Sequence, residues 1–212
     1  MSASHDAVVV AAGGSARLGR AKQLLTRGGE PLLRRAARLA LETAPSRLLV
    51  VVGADAEAMR ATLVGLPCVV VSNPAWRTGL GSSLRSVAAG VGAPRALVLA
   101  CDQPALHAGH LQALLDGAAA AASGCAATRH GAVPGVPAVV PAAWFRAPDG
   151  LDGDRGFGAR LRTLDAAALF LLDAPDLGLD IDTPADIATA VARGWLDPPA
   201  VPAAGALDAS DR

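Results

Sequence analysis

Cysteine is scarce in this chain of 212 residues, which contains only Cys68, Cys101 and Cys125. None of the three stands in a C-x-x-C pair or at a Cys/His ligand spacing, so the sequence excludes a disulfide framework and favours a reducing compartment. An excess of one charge sign is also missing, because 19 basic residues balance 19 acidic ones. A balanced chain has no overall field that would attract nucleic acid or an anionic membrane.

Long apolar runs are missing as well. No apolar run reaches 18 residues, so no membrane-spanning helix is expected, and the N-terminal stretch MSASHDA lacks the pattern of a signal peptide. The 52% of hydrophobic residues can nevertheless fill a sizeable core. We therefore expect a soluble, cytoplasmic protein with neither nucleic-acid nor membrane partners. Residues 1–196 are predicted to form a single domain, and 197–212 a disordered tail without periodicity.

Short apolar runs alternate with segments of helical length. Four runs without polar alternation are typical of strands covered on both faces, and they lie at 7–12, 47–53, 67–72 and 95–101. Helices are predicted between and after them, at 30–44, 56–66, 81–91 and 107–122. This alternation predicts an α/β, Rossmann-like, doubly wound and mostly parallel sheet with helices on both faces. Ligands bind such sheets beyond the carboxyl ends of the strands.

The pattern loosens after residue 128. Three less regular segments follow, predicted as a short strand within 129–144, a loop running into a helix over 152–164, and a strand over 167–174. The last helix is predicted over 182–196, with Thr183 as its N-cap, Pro184 at its first position and Asp186 completing a capping box.

The loop after the first strand is small and basic. It reads AAGGSARLGRAKQLL over residues 11–25 and matches neither a Walker A motif nor a G-x-G-x-x-G fingerprint. Its residue types still suit an anion, since glycines admit backbone N–H groups, a hydroxyl donates and cations supply charge: Gly13, Gly14, Ser15, Arg17 and Lys22. An ordinary strand-to-helix turn with solvated basic residues is the alternative interpretation.

Two further segments place polar groups where a ligand would lie. In NPAWRTGLGSSLRS, residues 73–86, Ser82 and Ser83 stand near a predicted helix start, where a purely structural cap is an equal alternative. In LVLACDQP, residues 97–104, an apolar strand ends at Asp102, on the sheet edge where ligands bind. An aspartate at that position could also only cap the following turn.

These segments together resemble the MobA-like NTP transferases, and within them the molybdenum-cofactor nucleotidyltransferases, closest to the molybdopterin cytidylyltransferases. The resemblance covers residues 7–194 and rests on five blocks in the family's order: 11–25, 73–86, 97–104, GVP at 135–137 and DIDTPADI at 180–187. A sixth segment, GDRGFGAR at 153–160, has two residues more than the family's GDxGAR.

The resemblance implies a role for each matching residue. Nucleotide binding falls to Ala11, Ala12, Gly13, Gly14, Ser15, Arg17, Lys22, Ser82 and Ser83. Arg17, Lys22 and Asp102 are the implied catalytic residues, and Asp102 with Asp182 the implied ligands of Mg²⁺. Acceptor binding falls to Gly135, Pro137 and Asp154, while the extra residues of GDRGFGAR leave the roles of Asp154 and Arg160 open. Asp180 is interpreted as a structural or supporting residue.

The implied reaction moves CMP from CTP to the phosphate of molybdopterin, with release of pyrophosphate. The implied partners are CTP and a phosphorylated pterin, with a molybdoenzyme or its chaperone as a recipient. Alanine at position 12, where guanylyl-transferring members carry glycine, favours CTP over GTP. Three alternatives stay open: GTP-dependent guanylyl transfer, transfer to a sugar phosphate or similar acceptor, and a non-catalytic cofactor-binding accessory protein.

Overall fold

The computed structural model describes residues 4–147 and 151–198. Its strands are β1 (His5–Ala11), β2 (Thr26–Arg27), β3 (Glu30–Pro31), β4 (Leu48–Val52), β5 (Val69–Ser72), β6 (Arg95–Ala100), β7 (Ala126–His130), β8 (Val133–Pro141) and β9 (Phe170–Leu172). Its helices are α1 (Leu32–Glu42), α2 (Ala56–Thr62), α3 (Leu80–Val87), α4 (Ala108–Ala120), α5 (Ala143–Arg146), α6 (Gly158–Thr163) and α7 (Pro184–Ala192).

The strands form a seven-stranded sheet in the order β5-β4-β1-β6-β8-β7-β9. β1 lies between β4 and β6 and is parallel to both. Only β8 runs against the others, because it forms a hairpin with β7 and pairs antiparallel with β6. The prediction of an α/β, mostly parallel, doubly wound sheet is confirmed.

Both faces of the sheet are covered, as the unbroken apolar runs predict. Successive residues of a strand point to opposite faces, so Val9 belongs to one core and Val8 to the other. Helices α1, α2 and α4 pack on the first face, and α3, α5 and α6 on the second. The apolar side chains of α1 form a stripe that is buried along its length: Leu32, Leu33, Ala36, Leu39 and Ala40.

Helix α7 begins as its sequence predicts. The Thr183 hydroxyl accepts a hydrogen bond from the Asp186 N–H, and the Asp186 carboxylate accepts one from the Thr183 N–H, with Pro184 at the first position. Such a capping box satisfies two donors that a helix start would otherwise leave unpaired. It also fixes the residue just before it, Asp182, at the edge of the sheet.

Three elements differ from the prediction. Strand β7 is not predicted, because its sequence, CAATRH, lacks both a long apolar run and a clean alternation of apolar and polar residues. The strand expected within 129–144 is longer than its three-residue apolar core, since pairing with β7 and β6 extends it through glycine and proline. The β2–β3 hairpin is too short for a periodic signal, and it turns at Gly28 and Gly29, both at positive φ.

The predicted tail begins with a residue that is held in place. The backbone N–H of Asp197 donates to the Thr26 carbonyl at 2.8 Å, and its carboxylate accepts from the N–H groups of Gly28 and Gly29. Residues 199–212, on which most of that prediction falls, lie outside the described residues. Within the described ranges, none of the helices combines the length and the apolar character needed to cross a bilayer.

Candidate functional site

A cavity of about 960 Å³ opens at the carboxyl ends of β1 and β6. That is the edge at which ligands of parallel α/β sheets bind, and the volume lies in the range of small-molecule sites. Its wall comes from the loop after β1, the end of β6, the start of α3, the bend in β8 and residues 154–162. Five segments named by the sequence therefore meet at one place.

The loop after β1 is held from inside by a buried amide. Gln23, 2% exposed, donates through Nε2 to the carbonyls of Ala11 and Gly13 at 3.0 and 2.7 Å. Its Oε1 accepts from the Ser15 hydroxyl at 3.4 Å, and the same hydroxyl accepts from the Lys22 N–H at 3.1 Å. Ser15 is at φ +51°, where the chain turns away from the sheet. Its hydroxyl therefore closes the loop.

Lys22 lies between two carboxylates at this end of the cavity. Its Nζ is 2.6 Å from Asp102 Oδ2 and 2.8 Å from Asp182 Oδ1. The two acids converge because the Ile181 N–H donates to the Asp102 carbonyl at 3.0 Å, which joins the segment before α7 to the end of β6. Lys22 is the only lysine among the 19 basic residues of the chain.

The carboxylates decide the protonation of Lys22. Burial disfavours its ammonium, but the charges and hydrogen bonds of Asp102 and Asp182 outweigh burial and raise the pKa of Lys22 above its ordinary value. In return, the hydrogen bond from Lys22 holds the pKa of Asp182 below its usual range. Lys22 is thus a permanent positive charge facing the cavity.

Arg17 supports this cluster from the outside. Its Nη2 is 2.7 Å from Asp182 Oδ2, and its side chain is 72% exposed, against 16% for Lys22. The sequence treats the two cations alike. Their surroundings differ, because the Lys22 side chain is enclosed within the site, whereas the Arg17 side chain is exposed to solvent and contacts Asp182 from outside.

A third acid shares the site. Asp180 lines the cavity beside Asp102, and partial desolvation, followed by the charge of Asp102, raises the pKa of the Asp180 carboxyl to about 6. The Oδ1 atom of Asp102 is buried and has no hydrogen-bond partner among the described residues. The polar end of the cavity therefore contains an oxygen that is ready to accept a cation.

The fit of a divalent metal can be tested on these oxygens. Within residues 4–147 and 151–198, no group of three or more His, Cys, Asp or Glu side chains could hold a metal ion. Mg²⁺ in nucleotide sites, however, usually takes only one or two carboxylates and completes its shell with water and phosphate oxygens. The unpaired oxygen of Asp102, with Asp182 nearby, fits that donor set.

The two serines of α3 have different surroundings. Asn73 donates through Nδ2 to both hydroxyls, at 2.8 Å to Ser82 and 3.1 Å to Ser83. The Ser82 hydroxyl donates in turn to main-chain carbonyls before the helix, whereas Ser83 lines the cavity. The hydrogen bonds of Ser82 are those of a purely structural residue, which was one of the two alternatives from the sequence. Ser83 faces the site.

The Trp76 ring lies against the loop after β1. A Cβ atom at Gly14 would lie 2.7 Å from the Trp76 ring, and one at Gly53 would lie 2.5 Å from Trp76 Cβ. Neither position can carry a side chain unless Trp76 moves. The indole itself lines the cavity, and the Arg77 guanidinium stacks on it at 4.3 Å.

A second part of the cavity wall is formed by β8 and residues 154–162. Gly135, Val136, Asp154, Arg155 and Arg162 line it. Pro137 is turned into the sheet, where its carbonyl accepts from the Thr128 hydroxyl at 2.9 Å. Arg160 lies over the Trp144 ring at 5.7 Å and donates to the Trp144 carbonyl, so it leaves the cavity to Arg155 and Arg162.

The structure therefore brings most of the predicted residues to one cavity. Ala11, Ala12, Gly13, Gly14, Lys22, Ser83, Asp102, Gly135 and Asp154 line the cavity. Ser15, Arg17, Ser82, Pro137 and Asp182 lie beside it and contact residues of the site. Sequence reasoning missed Gln23, Arg77, Arg155 and Arg162; Gln23 had one signal, its position directly after Lys22.

Comparison with known proteins explains this arrangement. A family model for the MobA-like NTP transferase domain matches residues 7–168. The chain belongs to the MobA-like NTP transferase family. It is a nucleotidyltransferase of the MobA-like type, with a nucleotide as one substrate.

Solved structures share the fold of this MobA-like chain. A nucleotidyl transferase from Methanothermobacter thermautotroptrophicus is 22% identical at a TM-score of 0.76, covering 90% of this chain and 97% of its own. An Rv0371c homologue from Mycobacterium sp. strain JC1 is 32% identical at 0.69, covering 90% and 96%. Rv0371C from Mycobacterium tuberculosis H37Rv, in complex with manganese, is 25% identical at 0.68, covering 88% and 97%. No curated protein matches in a sequence comparison.

Proposed function

We propose that this MobA-like transferase moves CMP from CTP to the phosphate of molybdopterin, releasing pyrophosphate, in the cytoplasm. The single observation that carries the proposal is the enclosed cation Lys22, set between Asp102 and Asp182 beside a glycine loop with unpaired backbone donors. A binding protein needs no such convergence of a fixed cation and carboxylates. A phosphoryl-transfer site does need it, because its catalysis is positioning and charge stabilisation.

The chain's own groups account for the chemical step. The loop after β1, here called the nucleotide loop, would receive the β- and γ-phosphates. The Lys22 ammonium would stabilise the negative charge that develops on departing pyrophosphate. The acceptor phosphate is already anionic at neutral pH and attacks the α-phosphorus in line. No general base is therefore needed, and Arg17 would add charge from the solvent side.

A divalent cation would complete this site. Asp102, through its unpaired Oδ1, and Asp182 would hold Mg²⁺, which when bound supplies charge neutralisation between the α-phosphate and the acceptor phosphate. The manganese complex of the Mycobacterium tuberculosis relative supports a divalent metal in this fold. Lys22 has to share both carboxylates with that metal, so we expect metal to bind together with the nucleotide rather than before it.

The part of the cavity wall formed by β8 and residues 154–162, here called the acceptor end, suits an anionic acceptor. The guanidinium groups of Arg155 and Arg162 line it, and an arginine fork matches the oxygens of a phosphate. Gly135 and Asp154 would contact the acceptor's polar edge. Apolar groups such as Phe157 and Leu161 line the same region and would cover a flat ring system such as a pterin.

The choice of base is assigned to Ala12. This residue is 2% exposed, directly follows β1 and is among the residues that line the cavity. We expect CTP to be used in preference to GTP, because a methyl at this position leaves less room for a purine. One such clash costs about 1–3 kcal/mol. In Ala12→Gly, the ratio of kcat/KM for CTP to that for GTP should fall by roughly 10–100-fold.

The test of the whole proposal is a screen for pyrophosphate release. CTP, GTP, ATP and UTP are each combined with molybdopterin or a hexose 1-phosphate, with and without Mg²⁺. Release from CTP with molybdopterin alone supports the proposal. Release from GTP, or with the sugar phosphate, supports the corresponding alternative transferase. Tight binding of the pterin without turnover of any nucleotide would support the role of a non-catalytic accessory protein.

A further inference from the structure

Gln23 is the buried group that determines the shape of the nucleotide loop. Both hydrogens of its amide are donated to carbonyls of that loop, and its oxygen accepts from Ser15. A buried amide with partners on both ends has one fixed orientation. The Ala12 carbonyl accepts from the Ala54 N–H at 3.1 Å, and the carbonyls on either side of it, those of Ala11 and Gly13, are held by this amide.

The direction of a carbonyl fixes that of the neighbouring N–H. In a planar trans peptide the two point opposite ways, so the Gly13 carbonyl, drawn to Gln23, turns the Gly14 N–H away from the interior. Across the described residues, no acceptor is found for the N–H groups of Gly13, Gly14 or Ser15. The result is a row of unpaired donors on the open side of the loop. Such a row is an anion-binding concavity.

The same short turn also places the catalytic cation. Residues Lys22–Leu24 form a 3-10 turn, from which Lys22 extends to the carboxylates while Gln23 extends under the loop. The Lys22 N–H is bonded to Ser15, so the turn and the loop are joined twice. The distance between the ammonium and the loop donors is therefore fixed before any ligand arrives.

We propose that Gln23 is a positioning residue for the nucleotide's phosphates. Through the Gly13 carbonyl it orients the N–H group of Gly14 and keeps it in register with Lys22, without contacting the nucleobase or the acceptor. The proposal rests on the proposed function, because it concerns the phosphate half of the same site. It predicts that the loss of Gln23 weakens the binding of phosphates and leaves the binding of the nucleoside intact.

The matched experiment compares Gln23→Met with Gln103→Met. Gln103 is also buried, 4% exposed, and also donates to two carbonyls, those of Val136 and Leu177 at 3.1 Å each. Both changes nearly keep the side-chain volume and remove two hydrogen bonds to carbonyls, and Gln23→Met also removes the one from Ser15. Calorimetric titration with inorganic pyrophosphate, cytidine and CTP separates the phosphate and nucleoside contributions, and chemical denaturation checks folding.

We expect Gln23→Met to raise the Kd for pyrophosphate and the KM for CTP by about 10–100-fold, as misplaced donors do, with cytidine affinity unchanged. Gln103→Met should bind pyrophosphate like the wild type. Wild-type pyrophosphate binding in Gln23→Met, or equal losses for pyrophosphate and cytidine, would overturn the role of Gln23. A wild-type protein that turns over no nucleotide would instead overturn the proposed function.

A second measurement covers a Gln23 variant that does not fold. In the wild-type protein, addition of pyrophosphate should shift the backbone amide resonances of Gly13, Gly14 and Ser15. The amide of Gly131, at the exposed β7–β8 turn, serves as the control and should not move. Loop resonances that stay unchanged at saturating pyrophosphate would refute the proposal without any substitution.

Discussion

The two parts of the cavity wall are built in different ways. At the nucleotide end, formed by the loop after β1 and the carboxylates near it, two central side chains are tied to other groups, Lys22 to two carboxylates and Gln23 to two carbonyls. At the acceptor end glycines form part of the wall, and Arg155 and Arg162 are exposed. Donors and charges fixed in advance need no reorganisation during the reaction. The comparison teaches that the nucleotide end is set for chemistry, whereas the acceptor end can adapt to its ligand.

The largest effect is expected when the carboxylate at the nucleotide end is changed. Asp102→Asn keeps the shape but removes the charge and one of the oxygens that we propose to hold the metal, so kcat should fall by about 10³-fold or more. The same change at Asp182 should also abolish most turnover. Mg²⁺-dependent pyrophosphate release and the denaturation midpoint should be measured on the same preparations.

The matched control for these aspartates is Asp116→Asn, an exposed acid on α4 that is bonded to Gln112. It should leave both activity and stability unchanged. If the Asp102 and Asp182 variants kept wild-type Mg²⁺ dependence while their midpoints fell, the two acids would be structural and the contrast between the two ends would disappear.

Lys22→Met should affect catalysis and stability together. We expect kcat/KM for the nucleotide to fall roughly 10²–10³-fold, with the KM for the acceptor unchanged. Asp102 loses its buried partner, which should cost about 2–4 kcal/mol in the free energy of unfolding. A loss confined to the acceptor KM would contradict the division between the two ends.

The acid limb of the stability curve gives an independent check on Lys22. Because Lys22 holds the pKa of Asp182 below its unfolded value of 3.8, the stability from this pair is present above pH 3.8. It is lost as the pH falls through the lower, folded value. In Lys22→Met that acid-dependent loss should shrink. Urea denaturation between about pH 2 and 6 measures it.

Substitutions at the acceptor end should have smaller effects. These effects should appear in the KM for the acceptor and not in the KM for CTP. Arg155→Ala and Arg162→Ala should each raise the KM for the acceptor about tenfold, the typical loss of one charged contact, and leave the KM for CTP unchanged. Arg160→Ala is the matched control, because Arg160 lies on Trp144 outside the cavity. An equal effect of Arg160→Ala would show that the exposed arginines act only through overall charge.

The smallest effect is expected for Arg17→Ala. Its ion pair with Asp182 is exposed, and such pairs contribute about 0–1 kcal/mol, so the denaturation midpoint should hardly move. Its contribution to nucleotide use should be several-fold at low salt and decline as salt is added. A salt-independent loss as large as that of Lys22→Met would place Arg17 inside the site.

The sequence predicts the nucleotide end better than the acceptor end, and the reason is physical. β1, β4 and β6 are unbroken apolar runs, so their ends, and with them Asp102, can be placed on the ligand-binding edge. The acceptor end depends on a hairpin and on a short helix, α6. There a shift of two residues decides whether Arg160 or Arg162 faces the cavity.

Contacts between segments that are far apart in the chain also could not be predicted from the sequence. The sequence names Lys22, Asp102 and Asp182 but assigns the lysine to phosphates and the acids to a metal. Their mutual ion pairs follow from a backbone bond between Ile181 and Asp102, which joins segments far apart in the chain. Gln23 was missed for the same reason, since its partners are carbonyls, which no side-chain pattern reveals.

The single lysine has a practical consequence for chemical labelling. With 18 of the 19 basic residues being arginine, Lys22 carries the one side-chain amine in the chain. Amine-selective acylating reagents therefore have two targets, this amine and the α-amino terminus, and intact mass alone counts the modified sites. The ammonium between Asp102 and Asp182 should acylate slowly, since only the neutral amine is nucleophilic. The rate at which the Lys22 amine is acylated therefore measures how often it separates from Asp102 and Asp182.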